Sequence, residues 1–448
     1  MRFTPRPYQE EAIRRGVEFF RNPKKYNAIE VLPTGSGKSL VIAEIAHRLD
    51  TDILVFQPSK EILQQNYAKM LNYVDEDEVG IYSSSQGAGK KYHQVKRITF
   101  ATIGSVKQHV EEFKHFKVIL IDECHGLGSD NANGMYLTFL GMLDCKVLGF
   151  TATPYRLTSE TYWEPCATMI RDKDGNKVLD KHGQPRFKGA MRTKNAKLTM
   201  LVNEDNPFFS KIIYCIQVKD LLDMGYLAQL RYFEVRPPRW NTQRIFKNTT
   251  GTEYSEKSVK WMMEESDLNT HIANLCSRLL RPKNGVPRNG ILVFTQFVDD
   301  AEYITNELNA REGRYCAAYV SGSTTKQNRE RILQEFRDGT IQILLNVNCF
   351  STGLDIPKLD TIVLGRPTLS LALHYQSVGR AIRPYKNKDA WIIDTVGNTD
   401  RFGEVGNLFI GEGDDGKPET FGWVFNYEQG MVSWTQLTGV YLGKSDKS

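Results

Sequence analysis

Val31-Leu-Pro-Thr-Gly-Ser-Gly-Lys-Ser39 constrains this chain more than any other stretch. Ala28 to Leu32 reads as a buried strand, and Leu40 to Leu49 reads as a helix. A strand, a glycine turn and a helix in that order aim consecutive backbone N–H groups into one concavity at a helix N-terminus, which holds phosphate. Thr34, Gly35, Ser36 and Gly37 form the turn. Lys38 is placed to reach the β- and γ-phosphates of a nucleotide, and the Ser39 hydroxyl to ligate Mg²⁺. The G-x-x-x-x-G-K-[ST] pattern is met only loosely, because Leu32 or Pro33 stands where its first glycine falls. The flanking strand and helix supply the context the pattern requires. A tight turn alone would need the glycines but not Lys38-Ser39 behind them.

A chain of 448 residues is long enough for two or three domains. No run of eighteen or more apolar residues is present, which argues against a membrane span. The opening Met1-Arg-Phe-Thr-Pro-Arg-Pro7 has no apolar core of an export signal. The seven cysteines are scattered without a C-x-x-C pair, so neither a zinc ribbon nor a disulfide framework is expected. A reducing, cytoplasmic setting fits. The net charge of +5 is concentrated: nine basic residues face three acidic ones between Arg171 and Lys197. That segment alone exceeds the net charge of the whole chain.

Arg6-Pro-Tyr-Gln9 precedes a helix from Glu10 to Phe20. A glutamine can bond N6 and N7 of adenine together, so Gln9 with Arg6, upstream of a phosphate loop, is expected to select ATP. Pro58-Ser59-Lys60 and Thr102 to Ser105 each follow a short apolar strand and open a helix. Such positions bind backbone phosphates without reading sequence, and helix capping by Ser59 and Thr102 is the plain alternative. Val118 to Ile121 is a continuous apolar run, as in a central parallel strand. It delivers Asp122-Glu-Cys-His125 to the carboxyl edge of a sheet, where open α/β folds bind ligands. Asp122 is the expected second Mg²⁺ ligand and Glu123 the base for the attacking water. His125 is placed to sense the γ-phosphate. Thr151 and Thr153, in Val147 to Pro154, read as a coupling element beside it.

In this order, Gln9, the Gly35–Ser39 loop, Asp122-Glu-Cys-His125 and Thr151-Ala-Thr153 resemble the first motor domain of a superfamily 2 helicase of the DExH type. Leu148-Gly-Phe-Thr-Ala-Thr-Pro-Tyr-Arg-Leu157 is similar to the RadD-like and type III restriction-subunit-like branch. The resemblance covers about residues 2–400 and implies an α/β fold with two tandem RecA-like parallel-sheet domains. It also implies ATP and Mg²⁺ as cofactors and DNA as partner, single-stranded, forked or branched, with RNA as the open alternative. The basic stretch, about residues 160–200, departs from the pattern as an insertion in the first domain. Its turn signals predict one or two hairpins over Asp172 to Phe187. Either it is a positive arm on a nucleic-acid backbone, with Arg186 and Lys188 as contact candidates, or it is a solvated loop.

From Gly290 the strand–helix alternation restarts and predicts a second parallel sheet without a phosphate loop. Ser258 to Leu280 is expected as one helix, and Leu369 to Arg383 as another. On the latter, Gln376, Arg380 and Arg383 share a face at i, i+4 and i+7, with Val378 and Ile382 towards the core. Two guanidiniums on that face would grip a γ-phosphate as arginine fingers do. Ser321 and Ser323 sit at another strand end as phosphate-contact candidates. The resemblance assigns nucleotide contact to Gly353 and Asp355, and nucleic-acid contact to Thr352. Domain limits of 1–225, 226–400 and a short β-type tail at 401–448 follow. A monomer acting on nucleic acid is expected, and no membrane partner. Some phages encode chains trimmed to motor parts, and the expected compartment is a bacterial cytosol or a phage-infected host. Only Ile356 to Tyr375 separates the Thr352 loop from the arginine segment, too little for a strand-splitting hairpin. Translocation without unwinding and an ATP-gated clamp therefore stand beside helicase activity.

Overall fold

A computed structural model describes residues 3–84, 92–127, 131–165, 172, 176–178, 190–202, 208–349, 356, 358–385, 388–412, 421–426 and 435–436. The chain opens with α1 (Pro7–Arg21), β1 (Ala28–Val31), α2 (Lys38–Leu49), β2 (Ile53–Phe56) and α3 (Lys60–Met70). Next come β3 (Val79–Tyr82), β4 (Ile98–Ala101), α4 (Ile103–Val106), α5 (Val110–Phe113), β5 (Val118–Asp122), α6 (Asn131–Gly141) and β6 (Lys146–Thr151). A hairpin of β7 (Tyr155–Pro165) and β8 (Ala190–Met200) interrupts the alternation before β9 (Lys211–Cys215) and α7 (Val218–Asp223). The second half runs β10 (Leu230–Glu234), α8 (Glu256–Ser266), α9 (Leu268–Leu280), β11 (Ile291–Thr295), α10 (Val298–Glu312), β12 (Ala317–Val320) and α11 (Lys326–Asp338). It closes with β13 (Ile343–Val347), β14 (Thr361–Leu364), α12 (Leu371–Val378), β15 (Ala390–Asp394), α13 (Asn398–Phe402) and the strands β16 (Leu408–Glu412), β17 (Phe421–Asn426) and β18 (Thr435–Gln436).

Two parallel sheets result. The first has seven strands in the order β3-β4-β2-β5-β6-β1-β9, and the second six in the order β10-β15-β14-β11-β13-β12. Every described residue of β1, β2, β5, β11 and β13 is buried, as helices on both faces of a parallel sheet require. β6 lies between β1 and β5. The phosphate loop after β1 and Asp122 at the end of β5 therefore reach across one intervening strand. The apolar cluster under α1 and α2 continues into the second half through Leu227, Ala228, Tyr375, Val378 and Ile382.

Three expectations are corrected. The Leu369–Arg383 helix stops at Val378. Pro384 disfavours helical backbone at Arg383, and the Ile382 carbonyl accepts from Ala228 N–H at 2.8 Å instead of from a helical turn. The Ser258–Leu280 helix is two, broken where Asp267 adopts φ 52°. The hairpin is longer than Asp172 to Phe187: its arms pair Tyr155 with Met200 through to Pro165 with Ala190. Most of the stretch between those arms, with Arg186 and Lys188, lies outside the described residues. The tail is β-type as expected. β16, β17 and β18 form an antiparallel sheet, and Ile410 exchanges two hydrogen bonds with the Gln217 side chain, at 2.9 and 3.2 Å. No described helix is long and apolar enough to cross a membrane.

One core residue opposes its surroundings. Glu30, mid-β1, is fully buried, and neither carboxylate oxygen has a hydrogen-bond partner. It fits because Gly16 of α1 has no side chain; a Cβ there would come within 3.0 Å of Glu30 Oε1. Burial raises the Glu30 pKa well above 4.5. The folded protein thus keeps a proton that the unfolded chain releases, and stability falls as pH rises from about 4.5 towards the folded value. Glu30→Gln carries no such penalty. Its melting temperature should exceed wild type by at least about 2 °C at pH 8, with the gain shrinking towards zero near pH 4.5. Melting curves at the two pH values check this; an equal gain at both would contradict it.

Candidate functional site

The loop between β1 and α2 turns through two left-handed glycines, Gly35 and Gly37, both at φ +84°. Only glycine takes that conformation cheaply, and a Cβ on Gly37 would strike Gln9 Nε2 at 2.4 Å. The loop is clamped to α1 from one side. Tyr8 Oη and Gln9 Nε2 both donate to the Ser36 carbonyl at 2.7 Å, while Gln9 Oε1 accepts from Arg6 N–H at 2.8 Å. The Arg6 guanidinium lies 4.5 Å from the centre of the Tyr226 ring. Ser36 is buried, and its hydroxyl has no partner.

Lys38, the first residue of α2, places its ammonium 2.9 Å from Asp122 Oδ1 and in contact with Glu123 Oε1. Glu123 takes the left-handed conformation, φ 51°, uncommon for a residue with a side chain. Burial and the neighbouring Glu123 charge raise the Asp122 pKa against the pull of Lys38. Burial pushes Glu123 up as well, but Lys38 and His125 outweigh it and hold that carboxyl well below its usual range. His125 Nδ1 lies 3.2 Å from Glu123 Oε2 and 3.0 Å from Thr151 Oγ1. Thr151 Oγ1 also accepts from Thr153 N–H at 3.0 Å. The coupling candidates are thus one connected network behind the acid.

Two residues that the sequence reading passed over complete this cluster. Asn66 donates to Asp122 Oδ2 at 3.2 Å and to Gln57 Oε1 at 3.0 Å, and Lys69 donates to Ser39 Oγ at 3.1 Å. Their i, i+3 spacing on α3 was the available signal, hidden in a polar run. Ser39 and Asp122 present hard oxygens of the type Mg²⁺ takes. An ammonium group stands on each, Lys69 on Ser39 and Lys38 on Asp122, so both oxygens already face positive charge and the donor set fits such an ion.

The second domain closes the cleft. Gln376 Nε2 lies 3.3 Å from His125 Nε2. A Cβ on Gly379 would meet Thr34 at 2.9 Å, and one on Gly35 would meet Ile382 and Leu227 at 3.2 Å and the Arg383 stem at 3.5 Å. Arg380, next to Gly379 in the chain, is itself buried. Of the residues expected on one helical face, Gln376 and the Arg383 stem meet the first domain here, through a helix end and a turn.

The nucleic-acid candidates are less concentrated. Pro58 is exposed, and Ser59 caps α3 by accepting from Ile62 N–H at 3.3 Å, while Lys60 is half-buried. Thr102 makes no cap; its hydroxyl lies 3.0 Å from that of Ser105. Ser321 is buried, with its hydroxyl 2.8 Å from that of exposed Ser323. All of these lie at carboxyl strand ends. Thr352, Gly353 and Asp355 lie outside the described residues.

A glycine loop and a carboxylate pair on one parallel sheet, covered by an arginine-bearing turn from a second, is the construction of an ATP-dependent nucleic-acid motor. Residues 2–156 match the family described as type III restriction enzyme, res subunit, and residues 271–385 match the helicase conserved C-terminal domain. The chain belongs to superfamily 2 of helicases and translocases, related to its restriction-enzyme branches. A "51.5 kDa protein" of Lactococcus phage (isolate 7-9) is 25% identical over 82% of this chain and 65% of its own length. The "DNA 3'-5' translocase XPB2" of Sulfurisphaera tokodaii is 24% identical over 87% of this chain and 81% of its own. The solved structure of the ATP-dependent Type ISP restriction-modification enzyme LlaBIII bound to DNA aligns with TM-score 0.59 at 14% identity. That alignment covers 88% of this chain and 28% of the other. The chain thus spans about two thirds of the phage relative and under a third of the restriction enzyme.

Because Gly379 touches Thr34 with no room for a methyl group, Gly379→Ala should hold the seam apart. A displacement of about 1 Å at reacting groups costs roughly a hundredfold. The variant is expected to lose about that much ATPase turnover with an unchanged melting curve. Turnover within twofold of wild type would show that the seam seen here is not the working one.

Proposed function

We propose that the protein hydrolyses ATP in the cleft between domains 1–225 and 226–400 to move along DNA. The observation that carries this reading is the second-domain segment Gln376–Arg383 seated on the Thr34–Gly35 turn and on His125. Thr34 to Ser39 hold the phosphates, with Lys38 leaving its carboxylates for the β- and γ-oxygens. Gln9 has a second amide hydrogen and a second lone pair for an adenine edge, beside Arg6. Ser39 and Asp122 hold Mg²⁺, which when bound neutralises phosphate oxygens. Once Lys38 moves to phosphate, Glu123 loses its strongest partner and its basicity rises. It then orients water and takes its proton as the new P–O bond forms and ADP leaves with the old bond's electrons. Arg380 and Arg383 stabilise charge spreading over the transferred phosphoryl. His125, Thr151, Thr153 and Gln376 link that event to the seam, and Gly353 and Asp355 complete the nucleotide contacts.

Closure and opening of the seam shift two grips on the strand. In the first domain these are Pro58 to Lys60, Thr102 and Ser105; in the second, Ser321, Ser323 and Thr352. Arg186 and Lys188, in the β7–β8 insertion, add a basic contact. The preference for DNA is supported by the translocase and the DNA-bound restriction enzyme. A monomer in a bacterial or phage-infected cytoplasm fits this work. A second reading, translocation without strand separation, is favoured by the span from Ile356 to Tyr375. Its described residues hold only β14, a turn and the start of α12.

Arg380→Ala should still bind nucleotide but lose about a thousandfold in ATPase rate. ATPase stimulation by single-stranded, duplex and forked DNA and by RNA, alongside strand displacement, tests the rest. Wild-type hydrolysis by Arg380→Ala would refute the interdomain site. Stimulation without displacement selects translocation, and nucleic-acid binding with little turnover selects a clamp.

A further inference from the structure

At the carboxyl ends of β11, β13 and β14 the second domain carries a cavity of about 270 Å³ that none of the roles above uses. Phe294, Leu364 and Leu373 give it apolar walls, and Asn348, Arg366 and His374 are among its polar lining. His374 is only 1% exposed, yet neither ring nitrogen completes a hydrogen bond. The ring stacks on Phe402 at 5.1 Å, and the Gly403 backbone lies near it. Burial pushes its pKa down to about 4, so the ring is neutral near pH 7 and offers one donor and one acceptor. Arg366 Nη1 donates to Asn348 Oδ1, while its buried Nε has no partner. Unmatched buried polar atoms are costly, and most are paired. Gly403 can serve at most one ring nitrogen, so His374 and the Arg366 Nε still bring unmatched polar atoms to one cavity, where a ligand would complete the bonds.

We propose that this cavity receives a single nucleobase from a strand lying across the second domain. The inference rests on the nucleic-acid-motor reading and extends it from the strand's backbone to its bases. A flat heterocycle has apolar faces for Phe294, Leu364 and Leu373 and a mixed donor–acceptor edge for His374 and the Arg366 Nε. The volume lies below the ~300–1,000 Å³ of drug-sized pockets, which suits one ring system and not a whole nucleotide. A phosphate is the poorer occupant, because the deep histidine is neutral and Arg366 is engaged with Asn348. A single strand gives up a base at lower cost than a duplex does. A captured base would hold the second domain in register on the strand between steps.

The full-length protein should bind a single-stranded oligonucleotide roughly tenfold more tightly than an abasic strand of the same length and charge. His374→Leu should erase that difference while leaving abasic-strand affinity unchanged, which a role confined to folding would not do. In the wild-type complex, 2-aminopurine placed along the strand should change fluorescence sharply at one register position. Equal wild-type affinity for the two strands overturns the proposal, whatever the variant does. Binding to neither strand overturns the motor reading and this one with it. If free nucleosides shift the His374 ring NMR signals and the oligonucleotide does not, the cavity serves a soluble ligand and the strand-borne base is wrong.

Discussion

The buried contact of Lys38 with Asp122 and Glu123 is the constraint around which the first domain is built. Three charges share a site that is largely closed to water. Removing Lys38 would leave two buried carboxylates uncompensated, at a cost of several kcal/mol. Their meeting demands a particular sheet. The loop after β1 must stand one strand away from the end of β5, and β6 must carry small hydroxylated residues between them. Thr151 fills that place and ties His125 to the acid. The cluster also explains why Glu123 is held in a left-handed conformation: its carboxylate has to serve the lysine and the histidine together. Asn66 and Lys69 extend the same logic outwards, holding Asp122 and Ser39 in position from α3.

The seam with the second domain is a close-packed surface. Gly35 and Gly379 each lack a side chain where the partner domain comes within van der Waals distance. Small changes at the phosphate loop therefore have to be felt at Gly379, because packed interfaces are bistable and do not deform smoothly. The Ala228–Ile382 hydrogen bond ties the start of the second domain to the arginine segment. Rotation of one domain would thus move that segment as a unit. The tail adds a second link: Gln217, just before α7, bonds Ile410, while Val405 N–H donates to Tyr232 Oη at 2.9 Å. The start of the tail, from Val405 to Ile410, therefore bridges elements from both halves.

The second sheet repeats the parallel architecture without a phosphate loop, and its carboxyl edge is free for other chemistry. His374, Arg366 and Asn348 collect there, with Asn348 in the left-handed region at φ 56°. In the first domain, strain and buried charge sit at the proposed reacting centre. In the second they sit beside the strand ends over which nucleic acid would pass. A motor of this kind needs both: one domain specialised for the fuel and its partner for the track.

The sequence by itself determined the alternation of strands and helices, the phosphate loop and the acid pair. Each rests on local rules: glycine's access to positive φ, apolar runs bounded by turns, and a lysine and serine fixed to a helix start. It also placed Gln376, Arg380 and Arg383 in one group, although through a helix that ends at Val378. The ending depended on Pro384 and on a hydrogen bond from Ala228, more than 150 residues upstream, which no local pattern encodes. Only the tertiary structure decided that Lys69 reaches Ser39, that Glu30 is buried without a partner, that the hairpin arms start at Tyr155, and that His374 borders a cavity. Each depends on which elements become neighbours, and side-chain packing between distant segments sets that. Periodicity along one segment cannot.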